Sequence, residues 1–320
     1  MRALSGIQPS GEFHVGNYFG AMKQYIDLQN EDHEGYFFIA NYHALTTIRD
    51  PQELRRLTRD VAMNFLAFGL DPQRSVLFRQ SDVPQVTELT WFLSCVTPMG
   101  LLERCHAFKD KVSQGISPDH GLFAYPVLMA ADILIYDSNL VPVGQDQKQH
   151  VEVTRDIAIK FNEAFGQVLE VPEPYILPQV AVVPGVDGRK MSKSYGNVIP
   201  VFETDKAIRK RIMGIVTDST PVEDPKDPDK CNVFALYRLF ADPQETAEMA
   251  ERYRAGGMGY GEAKKQLAAL VLDYFADARA KKRELEADPS YVDDVLQAGG
   301  ARAREKACEV LQRCRDATGF

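Results

Sequence analysis

Short apolar runs alternate with longer amphipathic segments along the first half of the chain, and this alternation constrains the fold more than any other feature. Residues 3–7, 34–41 and 75–80 each have the pattern of a buried strand. Residues 18–28 and 51–69 lie between them and carry apolar side chains at helical spacing. Strands joined by helices of this length form parallel crossovers, so the sequence predicts an α/β fold with a doubly wound parallel sheet. Ligands of such sheets bind at the carboxyl ends of the strands.

Residues 121–136 are apolar on nearly every side, which predicts a buried helix. Asp132 lies well inside this helix, and a buried carboxylate without a partner is costly. Two interpretations remain open: Asp132 pairs with a lysine or arginine, or it is held ready for a hydrogen-bond donor on a ligand. Residues 140–144 follow as a further predicted strand.

Residues 188–194 form a cationic loop, Gly-Arg-Lys-Met-Ser-Lys-Ser, after a turn-forming run at 184–188. Such a loop cannot form a core, but it suits a ligand with several negative charges. Lysine is a point charge on a flexible stem, and charge-assisted bonds to phosphate are strong. An ordinary solvated basic loop is the alternative.

A second polar segment, residues 8–18, follows the first predicted strand and leads into a helix. The free amides and the dipole at a helix start favour an anion. His14 and Asn17 are three residues apart, so we expect their side chains to project together from the first turn. Gly16 between them leaves room for a flat ring to approach the backbone.

Together, the two segments carry a resemblance. His14-Val15-Gly16-Asn17 resembles the HIGH signature of class I aminoacyl-tRNA synthetases, and residues 190–194 are identical to their KMSKS signature. Residues 5–18, 125–134 and 141–150 resemble, more narrowly, the bacterial tryptophanyl-tRNA synthetases. The resemblance covers nearly the whole chain and is densest up to about Val216.

The resemblance implies a two-domain organisation. A Rossmann-like catalytic domain is expected over residues 1–200, with a connecting insertion around 84–120 and the KMSKS loop at 190–194. A helical domain that binds the tRNA anticodon is expected over residues 201–320. The family is dimeric through the connecting region, so a homodimer is expected. Apolar residues there suit either a core or an interface: Leu89, Phe92, Leu93, Met99 and Leu102.

The same resemblance implies an amino-acid pocket. Asp132 would accept the indole N–H of L-tryptophan, and His43 would lie along the ring. An analogue without the N–H would strand the carboxylate and be rejected by roughly 10⁴. Tyr125 and Gln147 would hold the ammonium and carboxylate groups. The apolar walls, each of which is individually explained as plain core, would be Leu4, Met129, Val141 and Val143.

An ATP site is also implied, with His14, Asn17, Lys190 and Lys193 as the catalytic residues. Gln145 departs from the acidic residue often found at its position. Mg²⁺ would ride on the phosphates, and no protein metal site is expected. The full ATP-binding set would be Gln8, Pro9, Ser10, Gly16, Asn17, Lys111, Gly144, Gln145, Asp146, Val182, Lys190, Met191, Ser192, Lys193 and Ser194.

Composition argues against several kinds of partner and against a metal or disulfide framework. The net charge of −8 argues against non-specific nucleic-acid binding, so DNA is not an expected partner. No apolar run approaches the roughly 20 residues of a membrane span, and no secretion signal is recognised, so no membrane is expected as a partner. The five cysteines are scattered without a Cys-x-x-Cys pair, which argues against a zinc or disulfide framework and predicts reduced thiols in the cytoplasm.

Beyond residue 232, the pattern is helical, and basic residues cluster at 209–211, 281–283 and at Arg302, Arg304 and Lys306. Each cluster alone is explained as a solvated helix face; together they are a candidate surface for tRNA. The implied reaction is activation of L-tryptophan by ATP to tryptophanyl-adenylate, followed by transfer to tRNA(Trp). Rival hypotheses are a tyrosyl enzyme, an adenylylating enzyme without tRNA, and an RNA-binding paralogue without activity.

Overall fold

The computed structural model describes residues 1–31, 33–105, 119–144, 147–176 and 182–320. Within these ranges, no helix is both long enough and apolar enough to cross a membrane. Lys111, Gln145 and Asp146, three of the predicted ATP-binding residues, lie outside them.

The sheet has five parallel strands in the order β3-β2-β1-β4-β5, which confirms the predicted parallel, Rossmann-like topology. In register, Leu4 lies beside Tyr36 and Ile7 beside Ile39. The last strand was not predicted, because its Glu-Pro-Tyr-Ile sequence lacks the apolar pattern of a central strand; an edge position tolerates proline. The strands are β1 (Arg2–Ile7), β2 (Glu34–Ile39), β3 (Val76–Arg79), β4 (Leu140–Val143) and β5 (Glu173–Ile176).

Helices make up most of the rest of the described chain. A π-helical turn at Tyr18–Met22 joins the first two. Asp50 caps α4 by accepting from the Gln52 amide at 2.8 Å, as its sequence predicts. In chain order they are α1 (Val15–Asn17), α2 (Lys23–Asn30), α3 (Asn41–Ala44), α4 (Pro51–Ala67), α5 (Gln85–Val96), α6 (Met99–Glu103), α7 (His120–Leu134), α8 (Lys148–Phe165), α9 (Asp205–Met213), α10 (Asn232–Tyr237), α11 (Pro243–Ala255), α12 (Tyr260–Tyr274), α13 (Ala276–Ala287) and α14 (Pro289–Thr318).

The chain forms two compact units, each built from separate stretches of sequence. The sheet unit comprises Met1–Gly11, Tyr25–Gln179 and Leu285–Phe320, and the helical unit comprises Glu12–Gln24 and Val180–Glu284. This division differs from the predicted one at residue 200. The helical unit takes in the KMSKS loop, and the sheet unit takes in the last helix.

Close packing explains why α14 belongs to the sheet unit. A Cβ atom added to Gly299 would lie 1.9 Å from the carbonyl oxygen of Leu77 on β3, so only glycine allows this approach. Beside it, Arg302 donates to the carbonyl of Pro72 at 3.1 Å. Arg304 donates to the carbonyl of Asp82 at 3.0 Å, and Lys306 forms an ion pair with Asp137 at 2.8 Å. These three basic residues therefore attach α14 to its own unit, and the basic clusters at 209–211 and 281–283 remain the candidates for a tRNA surface.

The core of the sheet unit contains α7, as predicted. Val127, Ala130 and Ile133 are buried there among residues from β1, β3 and α8. In α5 and α6, the predicted apolar residues Leu89, Phe92, Leu93 and Leu102 are buried, whereas Met99 is 63% exposed. Core burial is thus correct for these four and wrong for Met99. Residues 106–118 of the predicted connecting insertion lie outside the described residues.

Candidate active site

Asp132, on α7 in the sheet unit, is only 2% exposed and is held by two uncharged or weakly basic partners. The amide of Gln80 donates to both carboxylate oxygens, at 2.9 Å to Oδ1 and 2.8 Å to Oδ2. His43 Nε2 lies 2.9 Å from Oδ2. Burial raises the pKa of Asp132, while the bonds from His43 and Gln80 act to lower it. The lysine or arginine partner considered from the sequence is replaced by an amide and an imidazole.

Gln80 is the functional residue that sequence reasoning missed. It follows β3 directly, and its side-chain carbonyl accepts from the Tyr42 amide at 2.9 Å and from the His43 amide at 3.4 Å. Gln80, at the carboxyl end of β3, therefore links the segment that follows β2 to Asp132. Its position in the sequence could have indicated a role in binding. Gln80 follows the third strand as His43 follows the second, and ligands of a parallel sheet bind at the carboxyl ends of its strands.

Tyr125 lies against the same imidazole. The rings of His43 and Tyr125 meet edge to face with centroids 6.1 Å apart. The Tyr125 hydroxyl is 3.5 Å from Nε2 of His150, and burial raises the pKa of Tyr125 to about 12. Tyr125 is therefore a neutral hydroxyl at physiological pH, able to donate or accept a hydrogen bond.

The predicted apolar walls lie on neighbouring elements of the sheet unit. Leu4 on β1 is 1% exposed and Val141 on β4 is 3% exposed. Met129 and Val143 are partly buried against the same core, and Gln147 is partly buried at the start of α8. Leu4 and Val141 thus belong to one hydrophobic cluster, and Met129 and Val143 pack against it.

A cavity of about 410 Å³ lies beside this pocket. His43 and Tyr125 line it, together with residues of α3, α5 and α7 such as Tyr42, Thr87 and Leu128. Asp132 itself is not among the residues that line this cavity.

His14, in the helical unit, forms the N-cap of α1 and is bonded reciprocally to Asn17. Its Nδ1 accepts from the Asn17 amide at 3.3 Å, and the Asn17 side-chain oxygen accepts from the His14 amide at 3.2 Å. Burial, reinforced by the nearby charge of Lys193, lowers the pKa of His14 to about 4. The ring is therefore neutral at physiological pH, and since Nδ1 is an acceptor, Nε2 carries the proton.

The two signature segments meet within the helical unit. The Gly16 amide donates to the thioether sulfur of Met191 at 3.2 Å, across 175 residues of sequence. The Val15 amide donates to the carbonyl of Ile199 at 3.0 Å, and His14 pairs with Pro200 in an antiparallel bridge. The start of α1 is thus bonded to the KMSKS loop and to the segment that follows it.

Comparison with known proteins agrees with this geometry. The family model "tRNA synthetases class I (W and Y)" matches residues 1–276. The chain belongs to this family of class I tRNA synthetases. Over all 320 residues, with both chains fully covered, it is 59% identical to the tryptophan–tRNA ligase of Rhodopirellula baltica.

Solved structures of this class I family include close relatives. A crystal structure of the tryptophanyl-tRNA synthetase of Campylobacter jejuni, complexed with ADP and tryptophan, matches with a TM-score of 0.95, 51% identity and full coverage of both chains. The tyrosyl-tRNA synthetase of Archaeoglobus fulgidus, complexed with L-tyrosine, matches with a TM-score of 0.68 at 22% identity. It covers 88% of this chain and 90% of its own, and this likeness shows the shared fold alone.

The remaining predicted residues of the synthetase are divided between the units. Gln8, Pro9 and Ser10 follow β1 in the sheet unit, where Gln8 donates to the carbonyl of His43 at 3.5 Å. Gly144 follows β4 in the same unit. In the helical unit, Val182 is 66% exposed, Lys190 and Ser194 are also exposed, and the hydroxyls of Ser192 and Ser194 are 2.8 Å apart. Among the described residues, no group of three or more His, Cys, Asp or Glu side chains could hold a metal ion.

Proposed function

We propose that this chain is a tryptophan–tRNA ligase, which activates L-tryptophan with ATP and transfers it to tRNA(Trp). Membership of the class I tRNA synthetase family supports the reaction, in which an amino acid is activated with ATP and transferred to tRNA. The observation that carries the choice of amino acid is the buried Asp132 carboxylate between Gln80 and His43.

The selection of tryptophan follows from counting hydrogen bonds at Asp132. An ionised carboxylate offers about four lone-pair sites. Gln80 and His43 contribute three contacts, and we assign a remaining site to the indole N–H. Phenylalanine and tyrosine lack a donor at this position, so they would leave a buried acceptor unsatisfied, and a site of this kind discriminates by roughly 10⁴. Tyr125 and Gln147 hold the amino-acid head group, and Leu4, Met129, Val141 and Val143 form the walls.

The phosphates of ATP bind to the signature segments. His14 donates from Nε2, since its Nδ1 is bonded to the backbone, and Asn17 donates from its amide nitrogen. Lys190 and Lys193 stabilise the charge that grows on pyrophosphate, and the phosphates carry Mg²⁺. The other ATP contacts are proposed at Gln8, Pro9, Ser10, Lys111, Gly144, Gln145, Asp146, Val182, Met191, Ser192 and Ser194.

The first step is an in-line attack of the tryptophan carboxylate on the α-phosphate, which forms tryptophanyl-adenylate and releases pyrophosphate. The ribose hydroxyl at the end of the tRNA then attacks the acyl carbonyl and displaces AMP. No residue acts as a covalent nucleophile, so catalysis consists of positioning and charge stabilisation.

The tRNA and a second copy of the chain are the proposed macromolecular partners. Exposed basic residues of α9 and α13 supply the tRNA surface: Arg209, Lys210, Arg211, Lys281 and Arg283. On α5 and α6, Trp91 is 68% exposed and Met99 is 63% exposed, which favours this face for a homodimer contact. We place the reaction in the cytoplasm, where the five cysteine thiols, all free, stay reduced.

ATP–pyrophosphate exchange with tryptophan, tyrosine and phenylalanine as separate substrates tests the proposal. We expect exchange with tryptophan alone, and charging of total tRNA with tryptophan. Exchange with tyrosine instead would contradict the role of Asp132. Exchange without charging would favour an adenylylating enzyme that does not use tRNA.

A further inference from the structure

Asn197, which follows the KMSKS loop, is buried to 2% exposure and bonds to two residues of the loop and to Asp187, which precedes it. Its side-chain oxygen accepts from the Ser192 amide at 2.8 Å. Its amide nitrogen donates to the carbonyl of Lys190 at 3.1 Å and to the carboxylate of Asp187 at 2.7 Å. One side chain therefore fixes the backbone on both sides of Met191.

The loop is built closely around this side chain. A Cβ atom added to Gly185 would lie 2.3 Å from the Asn197 side-chain amide, so any other residue at 185 would displace it. The Val186 amide donates to the carbonyl of Asn197 at 2.9 Å. The turn before the loop and the residue after it thus form one packed junction.

Further contacts extend from Asp187 along the outer side of the loop. Arg189 donates from Nε to the Asp187 carboxylate at 2.7 Å, and its guanidinium lies 4.4 Å from the centre of the Tyr195 ring. The hydrogen bond from Asn197 is the main cause that lowers the pKa of Asp187, so this carboxylate stays ionised. Asn197, Asp187, Arg189 and Tyr195 form a frame around residues 190–194.

The chemistry of the junction requires asparagine. The Ser192 amide needs an acceptor, while the Lys190 carbonyl and the Asp187 carboxylate both need donors. Asparagine offers both on one short side chain, whereas aspartate has no donor when ionised. Aspartate at 197 would also set two carboxylates against each other.

We propose that Asn197 is a positioning residue for activation: it holds the backbone from which Lys190 and Lys193 reach the phosphates. Asn197 acts through the loop backbone and is assigned no contact with the substrates. This role rests on the proposed function, because the lysines are the groups that it positions. A misplacement of about 1 Å at a catalytic group can cost roughly 10²-fold in rate, which sets the size of the expected effect.

Asn162 provides a matched control in the sheet unit. It is 5% exposed, donates to the carbonyl of Leu169 at 2.8 Å and accepts from the amides of Val168 at 3.1 Å and Leu169 at 2.9 Å. Asn162→Ala therefore removes a buried asparagine with a similar set of backbone bonds. It leaves the KMSKS loop unchanged.

The first measurement is ATP–pyrophosphate exchange by the full chain carrying Asn197→Ala or Asn162→Ala, corrected for the folded fraction. We expect Asn197→Ala to lower kcat on the order of 10²-fold while the KM for tryptophan stays at the wild-type value. Asn162→Ala should lower Tm and leave kcat unchanged. Equal losses of kcat in the two variants would overturn the proposal.

Two further variants keep the test decisive if Asn197→Ala folds poorly. Asn197→Asp retains the acceptor for Ser192, so it should fold but lose kcat, because it repels Asp187. Adding Asp187→Asn restores a donor between the two side chains and should recover part of that loss. No recovery in the double variant would contradict the assigned contact.

Trypsin supplies a readout that does not depend on the reaction. The loop contains Arg189, Lys190 and Lys193, so a loosened loop should be cleaved faster in Asn197→Ala than in wild type or Asn162→Ala. Equal cleavage rates would overturn the positioning role. Absence of tryptophan-dependent exchange in the wild type would instead refute the proposed function, while the cleavage comparison would still decide the role of Asn197.

Discussion

In the proposed function, the amino-acid pocket and the KMSKS loop have opposite requirements for recognition. In the proposed pocket, Asp132, the charge to which we assign the choice of tryptophan, is buried and already hydrogen-bonded to two side chains. In the loop, Lys190 is exposed, and the buried group is an uncharged asparagine that bonds the backbone. We propose that this buried carboxylate discriminates through its remaining acceptor site, which a ligand without an indole N–H would leave unfilled. Cations on the loop give little discrimination, but in the proposed function they lie ready for the charge that develops on the phosphates and so serve the rate.

The largest effect that separates the two regions is expected for Lys193→Ala. Loss of its charge should lower the activation kcat by roughly 10²- to 10³-fold, the range for removal of one preorganised transition-state donor. Tryptophan binding, measured without ATP, should be unchanged. Lys206→Ala, an exposed lysine at the start of α9, is the control. An unaffected rate in Lys193→Ala would refute its role.

Asp132→Asn should have the opposite effect: it should weaken tryptophan binding more than it lowers the activation kcat. The loss of the charged acceptor should lower kcat/KM for tryptophan roughly 10- to 100-fold, the cost of one hydrogen bond to a charged group. Pyrophosphate exchange at saturating tryptophan should be less affected. Competition assays should also show weaker discrimination against phenylalanine. If discrimination is retained, selectivity lies elsewhere in the pocket.

Gln80→Leu tests the amino-acid pocket through the pH dependence of kcat/KM for tryptophan. The contacts from its side-chain nitrogen to both carboxylate oxygens favour the ionised form of Asp132, so their removal should raise the pKa of this carboxyl further. The carboxylate is lost as pH falls through that pKa, so kcat/KM for tryptophan should begin to fall at a higher pH than in wild type. A pH profile of exchange measures the shift. An unchanged acid limb would show that Gln80 does not control the ionisation of Asp132.

The smallest effect concerns stability and belongs to His14. Because its pKa is lowered to about 4, the folded chain leaves it neutral at pH 5, whereas the unfolded chain takes up a proton below its ordinary value near 6.5. The free energy of unfolding should therefore fall as pH decreases from about 6.5 towards 4. His14→Gln should flatten this dependence. Urea unfolding of both proteins at pH 7 and pH 5 provides the measurement.

Much of the sheet unit could be predicted because its signals are local. Apolar runs placed β1 to β4, and the apolar helix around Asp132 was recognised from its own sequence. The chemistry of residues 190–194 was visible for the same reason. These features depend on short-range pattern and residue type, which sequence displays directly.

What the sequence concealed depends on distant contacts. Gln80 is an ordinary glutamine until β2 and β3 bring it against Asp132. Within the sheet unit, the absent side chain of Gly299 lets α14 approach β3, and within the helical unit residue 14 pairs with residue 200. Neither contact leaves a local trace, because both partners are set by the fold. The assignment of individual substrate contacts stays a prediction.

The close fit of α14 on β3 also sets an order of events during synthesis. Arg304 holds the carbonyl of Asp82, two residues after Gln80, and Gly299 lies on Leu77, three residues before it. Translation supplies α14 after every other element of the sheet unit. In a nascent chain without α14, Gln80, the hydrogen-bond partner of Asp132, should therefore be poorly anchored. We expect full tryptophan binding only after α14 has packed against β3.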